Sequence, residues 1–252
     1  MTSDGIHRVD RATTLFSPTL RSVALHFLAT IVSVTCAVLS SGCVSTAPVS
    51  VSDSRLSQAA GATFTHTLRA MPSFGNFSFT NATVGIAAGG IAGGIATVES
   101  GKKLIAKNGI LDPALSISKQ LCAELSARFK LSFNEAAAVK IETVDAKEVA
   151  HAIGGKVDFV LDVQTANWGS YYLPTNWTRY RVIYAAKVRL LDARKSQIVA
   201  EGFFHWKTPD NAKHPTHDEL FANNAAVLRE QLEEASRAAT AYFIVEVLTE
   251  KR

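Results

Sequence analysis

Asp158 and Asp162 stand four residues apart in a segment that alternates apolar and polar side chains, which puts both carboxylates on one face of a strand. Two carboxylates can act as general acid and general base when a cleft drives their pKa values apart. Here the next alternating segment carries Arg179, Arg181, Lys187 and Arg189 on its polar face. The sequence therefore predicts cross-strand ion pairs in place of an acid–base couple. His205, His214 and His217 place three imidazoles within 13 residues, but His214 and His217 flank Pro215 in a loop-like stretch. That spacing suits a solvated loop and not the fixed geometry of a zinc site, so no metal is expected. His66 and His151 add no partner. Cys122 shares a helical face with Ile117, Leu121 and Leu125, the pattern of a buried, inert thiol. The chain has no Gly-x-Ser-x-Gly elbow and no His-Glu-x-x-His pair. The expectation is a protein that is not an enzyme, with a hydrolase built on the carboxylates as an alternative.

Two further patterns point to contact instead of catalysis. Trp168, Tyr171, Tyr172 and Trp177 fall within ten residues, between two predicted strands. A connection this aromatic is a candidate hot spot for a protein or glycan partner, or a local cap over the sheet end. Residues 84–98 read VGIAAGGIAGGIATV, with Gly85, Gly89 and Gly93 four apart and Gly90 and Gly94 likewise. As a helix this would offer a smooth face for membrane or subunit packing. Five glycines at about 1 kcal/mol each disfavour an isolated helix, and a packed hairpin or loop is the simpler expectation. Just beyond it, Gly101-Lys102-Lys103 resembles a degenerate phosphate-binding loop. Lys103 stands where such a loop needs a magnesium-binding Ser or Thr, so no nucleotide is expected. Sequons occur at Asn76, Asn81 and Asn176.

The elements that must position these residues follow from periodicity. Residues 62–70 alternate as a first strand, with a loop over 71–83. Asp112 and Pro113 open a helix to about Lys130 that buries Leu115, Leu121, Leu125 and Phe129. Residues 138–142 fit a short strand, and Asp145 caps a brief helix stopped by Gly154 and Gly155. Alternation over 157–164, 179–190 and 198–207 predicts three strands, the last two joined as an antiparallel hairpin by the turn at 192–196. Thr216 and Glu219 form a capping box for a long C-terminal helix, whose end near 242–248 could fray or become a strand. The predicted fold is α/β (α+β-like): a mixed sheet of about four to five strands with an antiparallel meander and packed helices.

The N-terminus carries an address. Arg8, Arg11 and Arg21 precede an uncharged, largely apolar run from Val23 to Leu39, followed by Ser40-Ser41-Gly42-Cys43. Gly42-Cys43 resembles a bacterial lipobox, with Ser40 where a large aliphatic residue is usual and Leu39 one step further back. The resemblance implies cleavage after Gly42 and a diacylglycerol and N-acyl lipid on Cys43. Val44 after the cysteine implies the periplasmic face of the outer membrane. The run is short for a membrane span of about 20 residues. The domains expected are a signal peptide over 1–42, a lipidated, flexible tether over 43–61, and one periplasmic domain over 62–252 with a Gly-rich insertion at 84–98.

Composition agrees with this division. The 252 residues carry a net charge of +4, with 47% hydrophobic and 19% charged residues, which excludes wholesale disorder. So small a positive excess gives no reason to expect nucleic-acid binding. Of three cysteines, the resemblance implies that Cys36 leaves with the signal and Cys43 is acylated, with Cys122 left as a single thiol. The pattern of elements over residues 112–250 is similar to envelope accessory lipoproteins, the group that includes the curli-secretion lipoprotein and transporter-auxiliary lipoproteins. It implies a non-catalytic role in envelope assembly, transport or secretion with an envelope protein as partner. The alternative is a ring- or pore-forming lipoprotein, a homo-oligomer using the Gly-rich segment.

Overall fold

The computed structural model describes residues 48–50, 56, 58–78 and 91–249, all within the unit Thr46–Arg252. Cys43, the signal, Gly85, Gly89 and Gly90 lie outside the described residues.

Period-two patterning produces the central meander. β5 (Phe159–Leu173), β6 (Asn176–Asp192) and β7 (Gln197–Lys207) pair antiparallel in sequence order. β1 (Thr63–Arg69) and β2 (Gly75–Phe77) both lie parallel to β5, β1 along Phe159–Leu161 and β2 along Gly169–Tyr171. β3 (Ser132–Phe133) and β4 (Val139–Ile141) pair parallel with β1, completing a seven-stranded mixed sheet. The sheet is larger than the four to five strands expected, because β2 and β3 are too short to show a period.

The helices close as the capping residues dictate. α1 spans Ile91–Asn108. α2 (Pro113–Phe129) starts at Asp112, whose side chain accepts from Ala114 N at 2.9 Å, and ends at Lys130 in the left-handed region. α3 (Ala146–Ile153) starts at Asp145, which accepts from Lys147 N and Glu148 N, and stops at Gly154 with φ of 63°. α4 (His217–Tyr242) carries the complete Thr216–Glu219 capping box. It is not one smooth helix: Asn223, Asn224 and Ala225 all have positive φ. The two asparagines tolerate that conformation best, which explains a break that apolar spacing does not reveal. Beyond Tyr242 the chain neither frays nor becomes a strand, but continues as a π-helical turn, Phe243–Val247.

Two cores follow from the two sheet faces. Leu161, Val163, Tyr184, Val188 and Leu190 join Ile117, Leu121 and Leu125 of α2 and Leu228, Leu232 and Ala239 of α4 in the main core. On the opposite face Val160 and Leu191 pack with Val149 and Ile153 of α3. Two described residues of the stretch expected as a tether take part in this body. Val49 pairs antiparallel with Glu201 of β7, and Leu56 is fully buried in the main core.

The expected hairpin or loop over 84–98 is corrected from residue 91 onward. Ile91–Asn108 is one helix, and Gly93 and Gly94 fall in its first turn. Its close approach is made by Gly101, where an added Cβ would lie 1.8 Å from the Phe74 carbonyl oxygen. Helix packing against the β1–β2 connection thus offsets the weak glycine propensity.

Candidate functional site: the β5–β6 arm and its ion-paired base

The aromatic segment is not a loop. β5 continues to Leu173 and β6 begins at Asn176, so Pro174 and Thr175 alone turn a long hairpin arm. The expectation failed because a register irregularity between Thr165 and Asn167 shifts the phase of the alternation. The same shift sorts the four aromatics. Trp168 is only 1% exposed, edge-on to Phe74 with ring centroids 5.1 Å apart, and donates from Nε1 to Pro72 O at 3.0 Å. As a surface contact it is therefore corrected: it is a core residue. Tyr172 packs against the main core from its edge. Tyr171 faces the other way and stacks on Phe77 at 4.2 Å and 15°. Trp177 stands at the tip, 55% exposed, its Nε1 donating to Pro174 O at 3.0 Å.

β2 buttresses this arm because two glycines let the backbones meet. Gly75 lies opposite Gly169 in the register, and a Cβ on Gly169 would come within 2.4 Å of Gly75 O. Phe77, which completes the stack on Tyr171, was missed from sequence because it lies in a stretch read as loop.

At the base of the arm both carboxylates are occupied by cations. Asp162, 1% exposed, accepts from Thr67 Oγ1 at 2.7 Å, from Arg69 Nε and Nη2 at 2.6 and 3.0 Å, and from Arg189 Nε and Nη2. The two guanidiniums also reach the carbonyls of Thr143 and Val144, tying the α3 entry to the sheet. Burial alone would raise the Asp162 pKa; the Arg69 hydrogen bond and the Arg189 and Arg69 charges outweigh it and hold the carboxyl below its ordinary value. The predicted partner Arg189 is correct. Arg69 was not foreseen, though an Arg ending the first predicted strand, two residues after Thr67 on the same face, was a usable signal.

Asp158 pairs differently from the expectation. It accepts from Thr63 N and Oγ1 at 2.8 and 3.0 Å and meets Arg194 of the β6–β7 turn, not a strand residue. The bond from the Thr63 backbone N–H, foremost, holds its pKa down. Arg179 pairs with Glu219, Arg181 with Asp210 and Lys187 with Glu201. Asp158, Asp162, Asp210 and Glu219 are all held below their ordinary pKa values, the opposite of what general-acid duty needs. His205, His214 and His217 do not converge, and among the described residues no group of three His, Cys, Asp or Glu is placed for a metal ion. Asn76, the first sequon residue, is buried. No helix among the described residues is long and apolar enough to cross a membrane.

No protein-family model and no curated protein sequence matches the chain. Solved structures do resemble it. A Xanthomonas campestris protein of the DUF330 family model has 11% identity, covering 78% of this chain and 92% of its own, at a TM-score of 0.36. Lipoprotein GNA1162 from Neisseria meningitidis has 13% identity, covering 71% and 98%, at a TM-score of 0.25. The PelC dodecamer from Paraburkholderia phytofirmans has 14% identity, covering 70% and 88%, at a TM-score of 0.28. Each score lies below 0.5, and no residue role follows from any of them.

Proposed function

We propose that this chain is a lipid-anchored accessory protein on the periplasmic face of the bacterial outer membrane, acting by contact and not by catalysis. The observation that carries the anchor is the order Arg8–Arg21, apolar Val23–Leu39, Gly42-Cys43. The acyl chains on Cys43 supply membrane attachment; more than one chain is needed for stable anchoring. The contact surface is the tip of the β5–β6 arm, where Trp177 offers an exposed indole on a strand-rigid support. A large, stiff aromatic loses little conformational entropy on binding, which is why such residues dominate interfaces. The non-catalytic reading is supported by the ion pairing of Asp158 and Asp162.

Cys43→Ala should abolish membrane fractionation and acyl labelling in a Gram-negative host; retained labelling refutes the anchor. Pull-down with the lipidated chain should recover an envelope protein that Trp177→Ala fails to recover. Equal recovery by both would refute the arm as the contact.

A further inference from the structure

A cavity of about 470 Å³ lies between the end of β2, α1, β6 and the start of α4, lined by Asn76, Ser100, Lys103, Leu104, Tyr180 and His217 among others. Asn76 is its hub. The side chain is 2% exposed; its Oδ1 accepts from Ser170 Oγ at 2.9 Å, and its Nδ2 lies 2.8 Å from Ser100 Oγ and 3.5 Å from His217 Nε2. Ser100 thus takes an amide proton on its oxygen and keeps its own proton for a further acceptor. His217 is fixed by rings on both sides, with Tyr180 at 5.4 Å and Phe221 at 4.9 Å.

The named lining carries only basic or neutral groups, with Asp218 just outside it at 3.8 Å from His217 Nδ1. Neighbouring Lys102 is engaged by Glu99 at 3.1 Å, whereas Lys103 makes no ion pair among the described residues. None of the residues named as lining the cavity is acidic. A buried polar hub, an ammonium, a hydroxyl donor and an imidazole, beside the apolar walls of Leu104 and Tyr180, complement an oxyanion on a small organic body.

We propose that this cavity binds a small organic anion, with Lys103 and Ser100 holding its carboxylate or phosphoryl oxygens and His217 closing the polar wall. The site is independent of the lipid anchor and of the arm tip. The test is isothermal titration of the detergent-solubilised full chain with succinate and, separately, glycerol 3-phosphate, at matched sodium chloride. Saturable binding of either supports the site, and the tighter probe names the oxyanion. Lys103→Gln and Ser100→Ala should each weaken binding about tenfold, the scale of one hydrogen bond to a charged group. Lys102→Gln, one residue away, should leave it unchanged. Absence of saturable heat with both probes up to about 10 mM overturns the proposal. So does an equal loss in Lys102→Gln and Lys103→Gln, which marks diffuse charge only.

Discussion

Asp162 lies directly opposite Arg189 in the β5–β6 register, and the two meet inside the protein with Arg189 Nε 3.0 Å from Asp162 Oδ2. Arg69 approaches the same carboxylate from β1. Replacing Asp162 by Asn would leave two buried guanidiniums short of a countercharge, and breaking such a pair costs about 3–5 kcal/mol. A urea denaturation midpoint should fall accordingly.

The same group sets an acid limb. Its folded pKa lies below the ordinary 3.8, so its stabilisation is fully present above that value and is lost as pH falls through the lower folded value. Asp158 acts in the same direction. Unfolding followed by circular dichroism should show a steep loss of stability below about pH 4, and Asp162→Asn should flatten it.

The four aromatics of the arm should separate by role. Trp168→Ala removes a core indole and should cost about 3–5 kcal/mol. Trp177→Ala at the tip should change stability by less than about 1 kcal/mol. Comparable melting temperatures for the two variants would contradict the packing described.

Gly101→Ala should destabilise strongly, because its Cβ would fall 1.8 Å from Phe74 O, a backbone atom. Relief requires α1 to move off the β1–β2 connection, and overpacking of this kind costs about 1–3 kcal/mol or more. Gly61→Ala is the useful contrast: nothing lies within 4 Å of its Cβ, and only its positive φ opposes the change.

Cys122 should resist alkylation in the folded protein. Burial pushes its thiol up to about 11, a bond with Ser118 offsetting part of the rise. At pH 8 about a thousandth is thiolate. Iodoacetamide labelling should therefore track global unfolding; rapid labelling under native conditions would contradict the burial.

Much of this fold was readable from residue order, and each failure has its own physical cause. Asp112-Pro113, Asp145 and the Thr216–Glu219 box mark their helices correctly because capping is local chemistry. Asp162 and Arg189 were readable as partners because alternation fixes faces. Phase was the weak point: one irregularity between Thr165 and Asn167 turned Trp168 inward and made a loop out of an arm. Residues in runs too short to have a period, such as Asn76 and Phe77, gave no sign of their structural roles, and Asn76 holds the polar cavity together through partners far along the chain. Gly101 was passed over for the more numerous glycines before it, since a close approach depends on what arrives opposite, not on spacing.

Val49 and Leu56 alter where this body can be cut. Trimming the chain to residue 62, where its first regular strand pattern begins, would strip Val49 from the flank of β7 and leave a hole where Leu56 sits. An uncovered strand edge recruits other strands, so such a fragment should stick to copies of itself and melt early. A fragment beginning at residue 46 keeps both and should stay monodisperse by light scattering. Val49 then serves as a built-in edge guard and Leu56 as a plug, and any crystallisation strategy should treat both as part of the folded body.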